Sequence, residues 1–226
     1  MTGASERSIA AHLAEIHDRI ANAARVAGRA PEEITLVAVS KEVDAAAVAE
    51  AWAVGQQDFG ENRAQELVTK VGALHSHGLD SRQLELAWHF IGRLQRNKIK
   101  TIAADVALWH SIDRLELGTE IARHAPGARV LVQVNASGEE QKGGCAPAEA
   151  PGLVDGLRAL GLTVEGCMTV PPLVGDPRPH FAQLRALATR LGLTTLSMGM
   201  SGDFEAAIGE GSTIVRVGRA VFGPRP

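Results

Sequence analysis

The sequence contains no tyrosine, and aromatic residues fill only 4% of its 226 positions. Proton transfer by a phenol is therefore excluded. Thiols occur only at Cys145 and Cys167, without CxxC spacing, so neither a disulfide frame nor a cysteine metal site is expected and both are read as reduced. Net charge is -3 and the pI lies near 6.2, which gives no basic footprint for nucleic acid or an anionic membrane surface. No apolar run reaches the length of a membrane span, and residues 1 to 30 are charged throughout with no signal-peptide core, so a cytoplasmic protein is expected. A GxGxxG pattern after the first strand candidate is also absent, which argues against an open dinucleotide-binding sheet.

What is present begins with ITLVAVSK, residues 34 to 41, an apolar β-branched run that ends on a lysine. Such a run suits a strand buried on both faces. Side chains alternate along a strand, so Thr35, Val37, Val39 and Lys41 share one face and the amine projects from the rim of whatever that face lines. Upstream, Ile9, Leu13, Ile16, Ile20 and Ala24 recur at helical steps, which predicts an amphipathic helix over 5 to 27 packed outside the core. Downstream, strand candidates lie near 57–62, 84–92, 107–113, 128–135, 163–170, 195–201 and 213–223, most of them separated by one helical pattern. Asp44 and Asp203 are candidate N-caps of two of the intervening helices. Eight alternating units predict a single-domain α/β protein over 1 to 226, a (β/α)8 TIM-type barrel with an additional N-terminal helix.

In such a barrel the working face lies at the C-terminal ends of the strands, and phosphate is often held by the loops after strands seven and eight. SMGMSGD, 197 to 203, and RVGRA, 216 to 220, supply glycines, small hydroxyls and arginines there. Taken singly, the glycines also suit plain turns and Arg216 a rim salt bridge. Together, and beside Lys41 on the neighbouring first strand, they suit a phosphorylated aldehyde bound to an amine at one end and a cradle at the other. Other polar features rank lower. The HxH pair His75 and His77 has no accompanying carboxylate or cysteine ligands, the basic cluster Arg93, Arg96, Lys98 and Lys100 reads as a solvated helix face, and Lys142 as a surface lysine.

LVAVSK at Lys41, FGENRAQE at 59 to 66, WHFIGRLQRNK at 88 to 98, SMGMSGD and GSTIVRVGRAVFG at 211 to 223 together resemble the pyridoxal 5′-phosphate (PLP) homeostasis proteins. These are single-domain relatives of the alanine racemase N-terminal barrel. The resemblance covers nearly the whole chain and implies PLP held on Lys41 as a Schiff base. It further implies that Asn62 approaches the cofactor, Arg216 pairs with the pyridine nitrogen, and Ser201, Gly218 and residue 219 hold the phosphate. The family commonly has threonine where this chain has Arg219, so there the backbone N–H is the expected contact.

The resemblance implies intracellular PLP buffering and supply to PLP-dependent client enzymes, without turnover. The alternative is a PLP-dependent amino-acid racemase; a lysine aldolase on the same barrel is more remote. Alanine racemases take the base opposite lysine from a tyrosine in a second domain, and this sequence has no tyrosine. His89, His110 and Cys167 could replace it, but each falls within a strand pattern where packing is the simpler role.

Overall fold

The computed structural model describes residues 8–76, 78, 86–139 and 143–223. Eight strands pair in parallel in chain order: β1 Thr35–Val39, β2 Asp58–Glu61, β3 Ala87–Phe90, β4 Val106–Ile112, β5 Arg129–Gln133, β6 Thr163–Met168, β7 Thr195–Ser197 and β8 Ile214–Val217. β8 pairs with β1, Val37 opposite Arg216, and closes the barrel. The helices are α1 Ile9–Val26, α2 Ala45–Ala53, α3 Ala64–Ser76, α4 Arg96–Ile102, α5 Leu115–His124, α6 Ala150–Ala159, α7 Arg178–Arg190, α8 Phe204–Gly209 and α9 Arg219–Phe222.

The expected (β/α)8 architecture is thus the observed one. Its core has two parts. Between sheet and helices lies a continuous apolar shell that includes Trp88, Trp109, Phe181 and Phe204, while the barrel interior holds a small cluster of Val37, Leu108, Leu131, Met168 and Ile214. α1 buries Leu13, Ile16, Ile20 and Ala24, a stripe at helical spacing, against α8 and α9 on the outside of the barrel. Arg19 of α1 crosses to Glu205 and lies over the Phe204 ring at 4.6 Å.

Most strands are shorter than the sequence pattern suggests, and three of them end so as to shape the C-terminal face. β1 stops at Val39, because Ser40 turns its hydroxyl to Glu61 and Glu42 takes a left-handed φ of 62°, so Lys41 stands in a turn rather than on the strand. β7 ends at Ser197, and two residues later Gly199 adopts a φ of 96° that carries the chain away from the ladder. The expected eighth strand over 213 to 223 divides at Gly218: β8 ends at Val217 and residues 219 to 222 coil into α9. A short apolar run such as VFG satisfies either periodicity, and Gly218 decides where the chain bends.

Asp44 caps α2 as expected, accepting a hydrogen bond from the Ala47 N–H at 2.8 Å, whereas Asp203 accepts from Met200 N at 2.6 Å and organises the loop before α8. Cys145 and Cys167 are buried free thiols, and burial pushes them up to about 11 and about 12, which leaves both unreactive near neutral pH. Arg93, Arg96, Lys98 and Lys100 are exposed, as a solvated face requires. His77, residues 79 to 85 and Lys142 lie outside the described residues, so the HxH expectation and the start of the third strand candidate do too. Among the described residues no group of three or more His, Cys, Asp or Glu side chains could hold a metal, and no helix is long and apolar enough to cross a membrane.

Gly166 on β6 shows how tightly the barrel closes. A Cβ there would lie 1.8 Å from the Thr195 carbonyl oxygen on β7, next to the register shift between β5 and β6. Gly166→Ala is expected to lower stability by about 1–3 kcal/mol through overpacking. Urea denaturation reads this as a lower midpoint, and an unchanged midpoint would show that the strand yields freely.

Candidate functional site

At the C-terminal ends of the strands a cavity of about 530 Å³ opens, and its wall contains all six residues singled out from the sequence: Lys41, Asn62, Ser201, Arg216, Gly218 and Arg219. They come from four places in the chain, the turns after β1 and β2, the loop after β7, and β8 with the start of α9.

Lys41 is half-buried, and its two neighbours are held firmly. The Ser40 hydroxyl donates to Glu61 Oε1 at 2.6 Å, and Lys70 Nζ donates both to Ser40 O at 2.6 Å and to the same Glu61 oxygen. On the other side the Glu42 N–H donates to Glu66 Oε2 at 2.9 Å. Glu61 and Lys70 are both buried, and burial pushes the Glu61 carboxyl up while the Lys70 hydrogen bond pulls it down. The ion pair therefore braces the turn that presents Lys41.

Asn62 follows β2 directly. Its backbone carbonyl oxygen would lie only 2.0 Å from a Cβ on Gly92, so glycine after β3 is what lets the Asn62 backbone pass. The Asn62 side-chain oxygen is buried without a hydrogen-bond partner, although the residue itself lines the cavity. Opposite, Ser201 and Gly218 meet through a long contact of 3.4 Å from the Gly218 N–H to the hydroxyl, and Arg219 is exposed at the start of α9.

Arg216 forms the floor. It is 5% exposed, donates from Nη1 to Ser197 Oγ at 2.6 Å and from Nη2 to Thr169 O at 2.9 Å, and among the described residues it has no carboxylate at ion-pair distance. Burial lowers it to about 10, so it stays charged at neutral pH. The described residues of the wall include two amine or guanidinium cations beside Arg219 and no carboxylate. Such a lining is suited to an anionic ligand that also offers an electrophile to Lys41.

The sequence reading did not single out Ile91, Val170 or Leu173 in the apolar part of the wall, and it did not foresee the Glu61–Lys70 brace. A lysine on a helix ordinarily faces solvent, and nothing local marks one that reaches inward. It also assigned His89 and His110 to packing. Both are buried in the barrel interior, joined in a hydrogen-bonded chain that reaches Arg216 through Ser197, and neither is among the described residues of the cavity wall. A signal existed: the Trp-His pair recurs in β3 and β4, and with each tryptophan packed outward the next residue must face inward. Cys167 packs in the outer shell, away from the cavity.

The fold and this cavity define a closed parallel (β/α)8 barrel with an amine and a buried guanidinium at its C-terminal mouth, and comparison with known proteins makes the class specific. The family model of the alanine racemase N-terminal domain matches residues 12–226. The pyridoxal phosphate homeostasis protein of Pseudomonas aeruginosa is 45% identical over 228 residues, 96% of each chain, and that of Escherichia coli K12 is 41% identical over 96% of this chain and 97% of that protein. The solved structure of PipY from Synechococcus elongatus PCC7942 with PLP bound is 32% identical, with a TM-score of 0.81, covering 96% of this chain and 100% of that one. The chain belongs to the pyridoxal phosphate homeostasis protein family, within the alanine racemase N-terminal barrels.

Replacing Lys70 alone would leave the Glu61 carboxylate buried without its cation. Lys70→Met is expected to cost about 3–5 kcal/mol, and Lys70→Met with Glu61→Gln to recover much of it. Urea denaturation of the two variants checks this; equal losses would show that the pair does not act as a unit.

Proposed function

We propose that the chain, as one domain, binds PLP in this cavity through a Schiff base with Lys41 and serves PLP homeostasis in the cytoplasm, buffering the aldehyde and supplying it to PLP-dependent enzymes. The observation that carries the reading is the union, around one cavity without a carboxylate in its described wall, of a braced amine and a buried guanidinium. The PLP-bound relative of the same fold and the names of the curated relatives support it.

The residues present fit the group. Bound PLP would supply an aldehyde that condenses with amines and a ring that accepts electrons. Lys41 offers the amine; Asn62 lines the same wall; Ser201 offers a hydroxyl, and Gly218 and Arg219 backbone N–H groups, to the phosphate. The exposed Arg219 side chain adds charge at the mouth in place of the usual hydroxyl. Arg216 is the donor suited to the ring nitrogen, and its fixed charge opposes protonation there. That weakens the ring as an electron sink and favours a carrier over a racemase. The same choice is supported by the placement of His89, His110 and Cys167, none of which is among the described residues of the cavity wall.

Borohydride treatment of PLP-loaded protein followed by peptide mapping should fix a pyridoxyl group on Lys41 and abolish the visible band, and Lys41→Ala should lose both. A panel of amino acids incubated with the loaded protein should show no steady α-proton exchange. An adduct confined to another lysine would overturn the site, and exchange that disappears with Lys41→Ala would replace the carrier by an enzyme.

A further inference from the structure

The barrel interior contains one line of polar groups that the cavity itself does not require. Asp58 stands at the start of β2, His89 on β3, His110 on β4, Ser197 at the end of β7 and Arg216 on β8. Successive contacts are short: His89 Nε2 to Asp58 Oδ1 at 2.8 Å, His89 Nδ1 to His110 Nε2 at 2.8 Å, His110 Nδ1 to Ser197 Oγ at 2.8 Å, and Arg216 Nη1 to Ser197 Oγ at 2.6 Å. His89, His110, Ser197 and Arg216 are all buried, while the Asp58 side chain is 30% exposed at the end of the barrel opposite the cavity.

The chemistry of the two ends dictates every proton between them. An ionised carboxylate only accepts, and a guanidinium only donates. His89 must therefore carry its hydrogen on Nε2 to reach Asp58, which leaves Nδ1 as an acceptor. His110 must then donate from Nε2 to His89 and accept at Nδ1, and Ser197 must donate its hydroxyl hydrogen to His110. Only then does the Ser197 oxygen turn a lone pair to Arg216 with every donor used once. This pattern needs both imidazoles neutral. A charged His89 would donate at both nitrogens, reverse His110, and aim two donors at Ser197 Oγ, whose own hydrogen would lose its acceptor. Burial first, and then the closeness of the His89 ring and the charges of Arg216 and Arg129, hold His110 well below the usual imidazole range; Arg129 is itself paired with Glu165.

We infer that Asp58, His89, His110 and Ser197 form a positioning chain for Arg216, in which Asp58 at the far end of the barrel selects the Nε2–H tautomer of both histidines and so fixes the guanidinium that the cavity presents to its ligand. These four residues touch no ligand; they act through Arg216. The consequence for the cofactor rests on the PLP reading given above: the ring-nitrogen contact is then tuned from a residue a full strand length away from the cavity.

The test has two arms. In 15N-labelled protein without cofactor, long-range 1H–15N correlations should show His89 and His110 each as a single Nε2–H tautomer at pH 7.5. Asp58→Ala, which removes a partly exposed side chain and leaves the core packed, should abolish the single tautomer at His89 and His110, and Asp58→Asn, which keeps an acceptor oxygen, should restore it in part. In PLP-loaded protein Asp58→Ala should shift the visible absorption maximum while the borohydride adduct stays on Lys41. Merely structural support from Asp58 would lower the melting temperature and move neither signal. An Nδ1–H or doubly protonated His110 in the parent, tautomers unmoved by Asp58→Ala, or tautomers that change without any shift of the band would each overturn the inference. Absence of any Lys41 adduct in the parent would defeat the PLP reading instead, and the cofactor-free tautomers would still decide the chain.

Discussion

A cation buried in the interior of a parallel barrel is the constraint around which this structure is arranged. Arg216 is nearly inaccessible, yet the groups that accept its hydrogen bonds are a hydroxyl and a backbone carbonyl rather than a carboxylate. Burying a charge without a paired countercharge is costly, and the cost falls when hydrogen bonds are satisfied and an anion or lone pair approaches from the open side. The interior supplies the first through Ser197 and Thr169. The cavity above supplies room for the second.

The remaining parts set an amine on the wall of the cavity that this cation lines. Lys41 stands in a turn, and its neighbours are pinned by Glu61, Lys70 and Glu66 from β2 and α3. Glycines take the positions where backbones crowd: Gly92 beside Asn62, and Gly199, whose Cβ would come within 2.7 Å of Ala207, at the entrance to α8. The site is thus precise where it is built on strands and their braces, and open where Arg219 and the loop after β7 border the mouth.

Much of this was legible in the sequence because the signals are local. A β-branched run that ends on lysine, glycines with small hydroxyls after the seventh strand, and an arginine-glycine step on the eighth each have a physical reason to be together, and barrel closure brings them to one rim. The helix α9 was not legible, since VGRAVF continues a strand as well as it starts a helix. The chain from Asp58 to Arg216 was not legible either, because its members lie up to 87 residues apart in a single contact and each alone is an ordinary core histidine or strand serine. What makes them a unit is donor and acceptor arithmetic, which appears only when the strands are side by side.

The most direct test of the central claim is a crystal structure of the protein grown with PLP. The account predicts electron density continuous from Lys41 Nζ to the aldehyde carbon, the ring nitrogen against the Arg216 guanidinium, and the phosphate on Ser201 and the backbone N–H groups of Gly218 and Arg219. PLP bound elsewhere on the molecule, or seated in the cavity with its ring nitrogen turned away from Arg216, would contradict it.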